Sequence, residues 1–253
     1  MRAEHRSKLA YAAVWVTIAA GAIVVVPRML PDGDVLERKP AGPAYAATAE
    51  LPEVLLDDGT TIAVGDPEAT TVVRLVEDPR CPVVADFEAS GAKAIRAHTL
   101  QRRTLTEYTL ASFKDGSLGG DGSKRAVNAL RAALDVQKFS ELHGVLLEHQ
   151  EEVEASGGYT TERLLSLAGQ VPGLRSEAFD AAVSGMKYEA FVSASQKAYE
   201  VLGGESNGPG TPTVAINRTM LGGDDHEAIF DEGQTLDLLT AVERAPEALR
   251  KRR

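Results

Sequence analysis

The chain has a single cysteine, Cys81, among its 253 residues. One cysteine excludes any disulfide within the chain, and no cluster of cysteine and histidine has the spacing of a zinc site. We therefore expect no metal ion and no other cofactor. Basic residues are in the minority, with 27 lysines and arginines against 37 aspartates and glutamates and a formal net charge of −10. General nucleic-acid binding needs a basic face, so we expect no nucleic-acid partner.

The remaining composition is that of an ordinary globular protein. Hydrophobic residues make up 43% and charged residues 25% of the chain. Such a chain can bury a core without the help of disulfides. Its length suits either one domain of about 200 residues with an appendage or two small domains.

The one long uncharged segment lies near the N-terminus, at residues 9–26, and its 18 residues are close to the lower limit for a membrane-spanning helix. Basic residues precede it, as expected for a cytoplasmic N-terminus. The alternatives are a buried helix or a cleaved signal peptide, but the small residues at 44–46 lie too far away for cleavage. We predict an uncleaved signal-anchor over residues 1–27, which makes the chain a single-pass protein of the cell membrane with its globular domain outside the cytoplasm.

A segment rich in proline, glycine and alanine, residues 28–50, follows the predicted anchor and is typical of a flexible linker. After it, two short apolar runs flank Asp58-Gly59, which is a hairpin signal. Residues 70–78, TTVVRLVED, are β-branched and apolar on both faces, so they predict a buried central strand.

A helical period begins at Pro82, where Val84, Phe87 and Ile95 share one face. Residues 104–113 alternate between apolar and polar side chains, which predicts the next strand. The order strand, helix, strand then predicts a parallel crossover. Helices are then predicted from a cap at Ser123 to a glycine stop at residue 203, including one that Thr160 begins and Gly169 ends. A strand at 211–217, a turn, a short partner strand and a C-terminal helix complete the pattern, and the acidic segment around His226 is predicted to be a solvated loop.

Several of these segments together resemble the DsbA-like branch of the thioredoxin fold, in particular its membrane-tethered bacterial members. The resemblance covers about residues 51–245. It rests on DGTTIAVGDPEATTVVRLVEDPRCP, SKRAVNALRAALDVQKFSELHGVLLEHQ, TTERLLSLAG, SEAFDAAVSGMKYEAFV and GTPTVAIN, which occur in the family's order. It implies an α/β thioredoxin-like domain over 51–253, with an all-helical insertion at about 120–204, and a family activity in thiol-disulfide exchange.

The chain departs from the family at the motif Cys-Pro-X-Cys, which here is Cys81-Pro82-Val83-Val84. The resemblance places Cys81 and Pro82 at the catalytic position of the attacking thiol and Val84 at the position of the resolving thiol. It also implies that Pro212 is a cis-proline facing the cysteine and that the backbone of Thr211 binds an extended peptide. Without a second cysteine the chain cannot hold or donate a disulfide of its own.

Local charges give no single direction for the reactivity of Cys81. A helix N-terminus favours a thiolate, and Arg80 would add to that effect. Glu77 and Asp78, which we expect at the exposed end of the strand, would oppose it. The strand itself offers no carboxylate that we would assign as a buried proton acceptor.

Three functions are compatible with these observations. The favoured one is thiol-disulfide exchange through Cys81 alone, with a mixed disulfide that another thiol releases. The first alternative is a redox-inactive module that holds extended segments of secreted or membrane proteins, as a chaperone does, and the second is an interaction subunit of a membrane complex. The expected partners are extracytoplasmic protein thiols or extended peptides. His143 and His149 are six residues apart and do not share a helical face, so we predict no metal role for them.

Overall fold

The computed structural model describes residues 42–204, 207–245 and 249. Within those ranges, every helix is too short or too polar to traverse a lipid bilayer. The signal-anchor predicted over residues 1–27 lies outside the described residues, as does most of the predicted linker. The end of that linker is not free of the domain, because the Tyr45 amide donates to the Leu100 carbonyl at 2.8 Å and the Arg102 guanidinium lies 4.0 Å from the centre of the Tyr45 ring.

Six strands of the described chain form one sheet in the order β1-β2-β4-β3-β5-β6. They are β1 (Glu53–Leu55), β2 (Thr61–Val64), β3 (Thr71–Glu77), β4 (Thr104–Leu110), β5 (Thr213–Ile216) and β6 (Thr219–Met220). β3 and β4 are parallel, and every other neighbouring pair is antiparallel. The hairpin around Asp58-Gly59 is as predicted. The central position of β3 is also as predicted, because a strand with apolar side chains on both faces has to be packed against other elements on both faces.

Helices surround the sheet. They are α1 (Pro82–Glu88), α2 (Ala92–Leu100), α3 (Lys114–Leu118), α4 (Gly122–Leu134), α5 (Phe139–Glu148), α6 (Gln150–Ala155), α7 (Thr161–Ala168), α8 (Glu177–Ser184), α9 (Glu189–Leu202), α10 (Asp224–Ala228) and α11 (Glu232–Arg244). In chain order, α1 and α2 connect the parallel strands β3 and β4, and α3 to α9 separate β4 from β5. This arrangement puts the Cys-Pro sequence directly after the central strand.

Helix ends follow the sequence signals in most places. The Thr160 hydroxyl accepts from the Arg163 amide at the start of α7, and that helix ends before Gly169, as predicted. The prediction for Ser123 was wrong, because α4 begins at Gly122 with Asp121 as its N-cap. Ser123 is instead fully buried, and its hydroxyl donates to Asp78 at 2.7 Å. α3 and α10 were not predicted, the latter because a short acidic helix has little apolar periodicity.

The helical period that begins at Pro82 is divided into two helices. Val84 and Phe87 lie in α1 and Ile95 in α2, with Gly91 between the two. A β-carbon on Gly91 would lie 1.8 Å from the carbonyl oxygen of Ile229, so only glycine allows this close approach. The break between α1 and α2 thus follows from packing against a segment that is remote in sequence, and periodicity alone does not show it.

Buried apolar residues form two large clusters. One joins α4, α5 and α7 to α9 with β1, β2 and β4, and the other joins β3 and β5 with α1, α2 and α11. At the contact of α2 with α11, Glu243 accepts from Arg103 and lies 3.1 Å from Nδ1 of the buried His98. Burial opposes ionisation of Glu243, but these two partners outweigh it and hold the pKa of its carboxyl below 4.5.

Candidate active site at the N-terminus of α1

Cys81 is the N-cap residue of α1. Its backbone is extended (φ −79°, ψ 116°), and its amide donates to the carbonyl of Asp78 at 2.9 Å, which turns the chain from β3 into the helix. Pro82 takes the first helical position, where no backbone donor is needed. The cysteine is 3% exposed, whereas Pro82 and Val83 are exposed to solvent.

The loop before β5 supplies the second part of the site. The Thr211–Pro212 peptide bond is cis. The Cys81 thiol donates to the Thr211 carbonyl, with the sulfur and oxygen 3.3 Å apart. The structure therefore brings Cys81 and the Thr211–Pro212 pair together across 130 residues of sequence. His226, from the segment predicted to be a solvated loop, lies in α10 with Nε2 3.4 Å from the Pro212 carbonyl oxygen.

Val84 occupies the buried side of α1 beneath the cysteine. It is fully buried and forms a small apolar cluster with Cys81 and Leu147 of α5. The valine side chain makes only van der Waals contacts. It therefore cannot attack a disulfide attached to Cys81, as a resolving thiol at this position would.

Arg80, next to the cysteine, is occupied by structural contacts. Its guanidinium donates twice to Glu154, at 2.9 Å each, and also to Asp115 at 2.9 Å and to the Gly119 carbonyl at 2.8 Å. Hydrogen bonds from Arg80 to Glu154, opposed by burial, raise the pKa of the guanidinium further. Two carboxylates therefore offset the positive charge that the sequence suggested as a source of thiolate stabilisation.

Asp78 is buried, and the prediction that it lies at an exposed strand end was wrong. The side chain is 0% exposed, and its oxygens accept from the Arg80 amide, the Lys114 amide and the Ser123 hydroxyl at 2.7 to 3.0 Å. Burial raises the pKa of this carboxyl, and the three hydrogen bonds act against that rise. The carboxylate satisfies the donors of the turn and so holds the backbone that precedes Cys81.

Glu77 is also buried, at 1% exposure, which makes the corresponding prediction wrong as well. One of its carboxylate oxygens, Oε2, lies 2.7 Å from His143 Nε2, and Glu88 at the end of α1 completes a compact group of potential ligand atoms. Burial opposes protonation of His143, but the charge of Glu77, its hydrogen bond and the charge of Glu88 together raise the pKa of His143 above 6.5. Burial also raises the pKa of Glu88, with the charge of His143 opposing it. β3 thus ends in a buried carboxylate, although no buried carboxylate was predicted for this strand.

A signal for this cluster was present in the sequence. His143 lies four residues after Phe139 and four before Leu147, so it belongs to the buried face of α5. His149 lies outside that face and is half exposed, with Nε2 3.3 Å from Gln170 Oε1, so the spacing between the two histidines says nothing about the burial of His143. The partners of His143 come from β3 and α1, which no local spacing reveals.

A thioredoxin family model matches residues 57–232 of the chain. No curated protein matches the chain. Among solved structures, the MdbA protein of Actinomyces oris, described as a thiol-disulfide oxidoreductase, is similar with a TM-score of 0.61 at 19% sequence identity, over 74% of this chain and 90% of that one.

Two further structures show the same likeness. BdbD of Bacillus subtilis has a TM-score of 0.59 at 18% identity over 81% of this chain and all of its own. DsbA of Mycobacterium tuberculosis has a TM-score of 0.53 at 19% identity over 77% of this chain and 99% of its own. At these identities the similarity concerns the fold alone. Because the thioredoxin family model matches more than half of the chain, the chain belongs to the thioredoxin family. Its fold is that of the DsbA-like members of this family.

Proposed function

We propose that the protein is a membrane-anchored, extracytoplasmic thiol-exchange protein that works through Cys81 alone. The observation that carries this proposal is the position of the Cys81 sulfur, at the N-cap of α1 and 3.3 Å from the Thr211 carbonyl oxygen. The sulfur thus lies at the start of α1 beside the loop whose backbone can bind an extended peptide, which is where an attacking thiol and its substrate have to meet.

The reaction is an exchange with no net change in oxidation state. The Cys81 thiolate attacks one sulfur of an external disulfide, so a new S–S bond forms to Cys81 and the other sulfur leaves as a thiolate. An external thiolate then attacks the mixed disulfide and releases Cys81. Each step breaks one S–S bond and forms one, so the reaction needs no oxidant or cofactor.

The proposed substrates are protein disulfides in extended segments. An extended segment would lie beside Thr211, whose backbone can hydrogen-bond to it as a neighbouring strand does. The thiol must turn away from the Thr211 carbonyl before it attacks, and it is 3% exposed. A segment that pairs with the Thr211 backbone would compete for this carbonyl and thereby favour that movement.

The proposal is tested with the full-length chain and a peptide in which a cysteine is disulfide-linked to a small leaving thiol. We expect intact mass spectrometry to show one peptide attached to native protein, no adduct on Cys81→Ser, and release of the peptide by added reduced thiol. Native protein that stays unmodified under conditions where urea-unfolded protein reacts would refute the proposal.

The second candidate is a redox-inactive module that holds extended peptides. It is favoured by the burial of the thiol and by its hydrogen bond to Thr211, both of which limit chemical access. In this case Cys81→Ser would bind an unfolded, cysteine-free peptide as tightly as the wild type does. Failure of both the wild type and Cys81→Ser to bind such a peptide would exclude this candidate.

Val84→Cys separates a missing resolving thiol from a more general loss of the site. If the rest of the site is competent, we expect the oxidised variant to carry an intramolecular disulfide and to oxidise a dithiol peptide, which the wild type cannot do. Val84→Ala is the matched control, because it opens similar space without adding a thiol. A folded Val84→Cys variant that forms no disulfide would show that the geometry around Cys81 has also diverged.

A further inference from the structure

We propose that Glu77, Glu88 and His143 bind one divalent cation of the zinc class, with a water molecule as the fourth ligand. The three side chains come from β3, α1 and α5. One potential ligand atom from each lies within 4.8 Å of the other two. This proposal concerns a site separate from the thiol and replaces the expectation from sequence that the protein holds no metal ion.

The atoms are already close to the spacing of tetrahedral coordination. With metal-ligand bonds of about 2.0–2.1 Å, two ligand atoms of a tetrahedral zinc site lie roughly 3.3 Å apart. His143 Nε2 and Glu77 Oε2 are 2.7 Å apart, and no pair in the group exceeds 4.8 Å. Shifts of up to roughly 1.5 Å, within the reach of glutamate rotamers, therefore convert the observed arrangement into the coordinated one.

An unsatisfied oxygen in the group points independently to a ligand. Glu77 is 1% exposed, and its Oε1 atom has no hydrogen-bond partner among the described residues. A buried carboxylate oxygen without a partner carries a desolvation cost that a cation would remove. His143 is held in a fixed orientation, with its ring centre 5.6 Å from that of Phe139 and 5.2 Å from that of Tyr108.

A small cavity that two of the three proposed ligands line, Glu88 and His143, has room for the fourth ligand. Its volume is about 20 Å³, and Glu88, His143, Ser140 and Tyr108 are among the residues that line it. The Ser140 hydroxyl is buried there and lacks a partner within the described structure. A cavity of this size holds about one water molecule, which the hydroxyl can hydrogen-bond.

The donor set and the cavity select the class of ion. Imidazole suits zinc, copper, nickel and iron, whereas calcium requires six to eight oxygen ligands and magnesium keeps several waters. Two glutamates, one histidine and room for one water do not meet those requirements. Arg96 donates to Glu88 Oε2 at 2.5 Å and so orients this carboxylate, as outer partners of metal ligands do. The Arg96 side chain is 38% exposed, so solvent screens its charge, and the two carboxylates balance that of the cation.

The bound ion would have a structural role. It would connect the central strand, the helix that carries Cys81 and the helical insertion, in a place that is almost closed to solvent. Glu88 lies one helical turn after Val84 on the inner face of α1, so the ion would fix the end of α1 opposite to the cysteine.

The test uses the full-length chain, stripped of metal with a chelator. We expect titration with Zn²⁺ to show one site, and titration with Co²⁺ to give the intense visible absorption of four-coordinate cobalt. Ca²⁺ and Mg²⁺ should not compete. His143→Gln should weaken zinc binding by more than the roughly 10–100-fold typical for loss of an outer partner. His149→Gln, the matched control on a half-exposed histidine outside the cluster, should leave zinc binding unchanged.

Two results would overturn the proposal. In the first, His143→Gln and Glu88→Gln bind zinc as tightly as the wild type does. In the second, the wild-type chain binds neither Zn²⁺ nor Co²⁺. If the variants do not fold, zinc X-ray absorption of the wild type decides, because the site predicts nitrogen and oxygen ligands only, with one imidazole. A sulfur ligand or an all-oxygen shell would rule the site out.

Discussion

Replacement of Arg80 by methionine, an uncharged side chain, should destabilise the fold strongly. The arginine side chain is 6% exposed and pairs with Asp115, also 6% exposed, and with Glu154, 21% exposed. Removing one partner of a buried ion pair costs about 3–5 kcal/mol, because the remaining charge is left uncompensated. Glu154 can recover water, and Asp115 keeps hydrogen bonds from two backbone amides. We therefore expect a loss near the lower limit, about 3 kcal/mol in the free energy of unfolding.

Urea unfolding followed by circular dichroism measures this loss. Arg125→Met is the matched control, because Arg125 pairs with Asp121 in a more exposed setting, with side chains 30% and 54% exposed. Loss of such a pair should cost at most about 1 kcal/mol. A double-mutant cycle of Arg80→Met with Asp115→Asn should give a coupling energy of about 1–3 kcal/mol. If Arg80→Met costs no more than the control and shows no coupling to Asp115, the reasoning from burial is refuted.

Two other substitutions test close packing and pH dependence. Gly91→Ala should lower the free energy of unfolding by about 3 kcal/mol, because the new β-carbon would lie 1.8 Å from the Ile229 carbonyl oxygen. Gly144→Ala is the control: it lies in a helix, its β-carbon would meet no neighbouring atom within 4 Å, and it should raise the free energy of unfolding by about 0.5–1 kcal/mol. Equal effects of the two substitutions in urea unfolding would contradict the packing at Gly91. Glu243 has a lowered pKa, so its ionised form stabilises the fold above pH 4.5, and that contribution is lost as the pH falls below 4.5 through the lowered pKa. Urea unfolding of Glu243→Gln should therefore show a stability deficit at neutral pH that narrows in acid, and a deficit independent of pH would argue against the assignment.

The fold could be predicted to a large extent from local patterns. Three local patterns predicted the elements that the structure contains. Apolar residues on both faces predicted β3, a proline after a cysteine predicted the start of α1, and a glycine predicted the end of α7. The break at Gly91 could not be predicted, because its cause is a carbonyl oxygen from residue 229. Local sequence carries no information about such approaches between remote segments.

The sequence allowed us to predict where the cysteine and the cis-proline loop lie, but not the burial of the charged residues beside them. Cys81 and Thr211 lie together as the family resemblance implied, since both follow from the order of strands. Glu77 and Asp78 were misplaced because charged residues at a strand end are usually solvated. Here a helical insertion covers that end and supplies His143 and the Ser123 hydroxyl as partners.

The burial of the single sulfur has a consequence for the protein in air and at high concentration. A disulfide between two copies requires both sulfurs to come within about 2.05 Å of each other. A side chain that is 3% exposed cannot reach a second copy of itself unless both active sites open together. The folded chain should therefore stay a free thiol during storage, and covalent dimers would report the opening of two active sites at once.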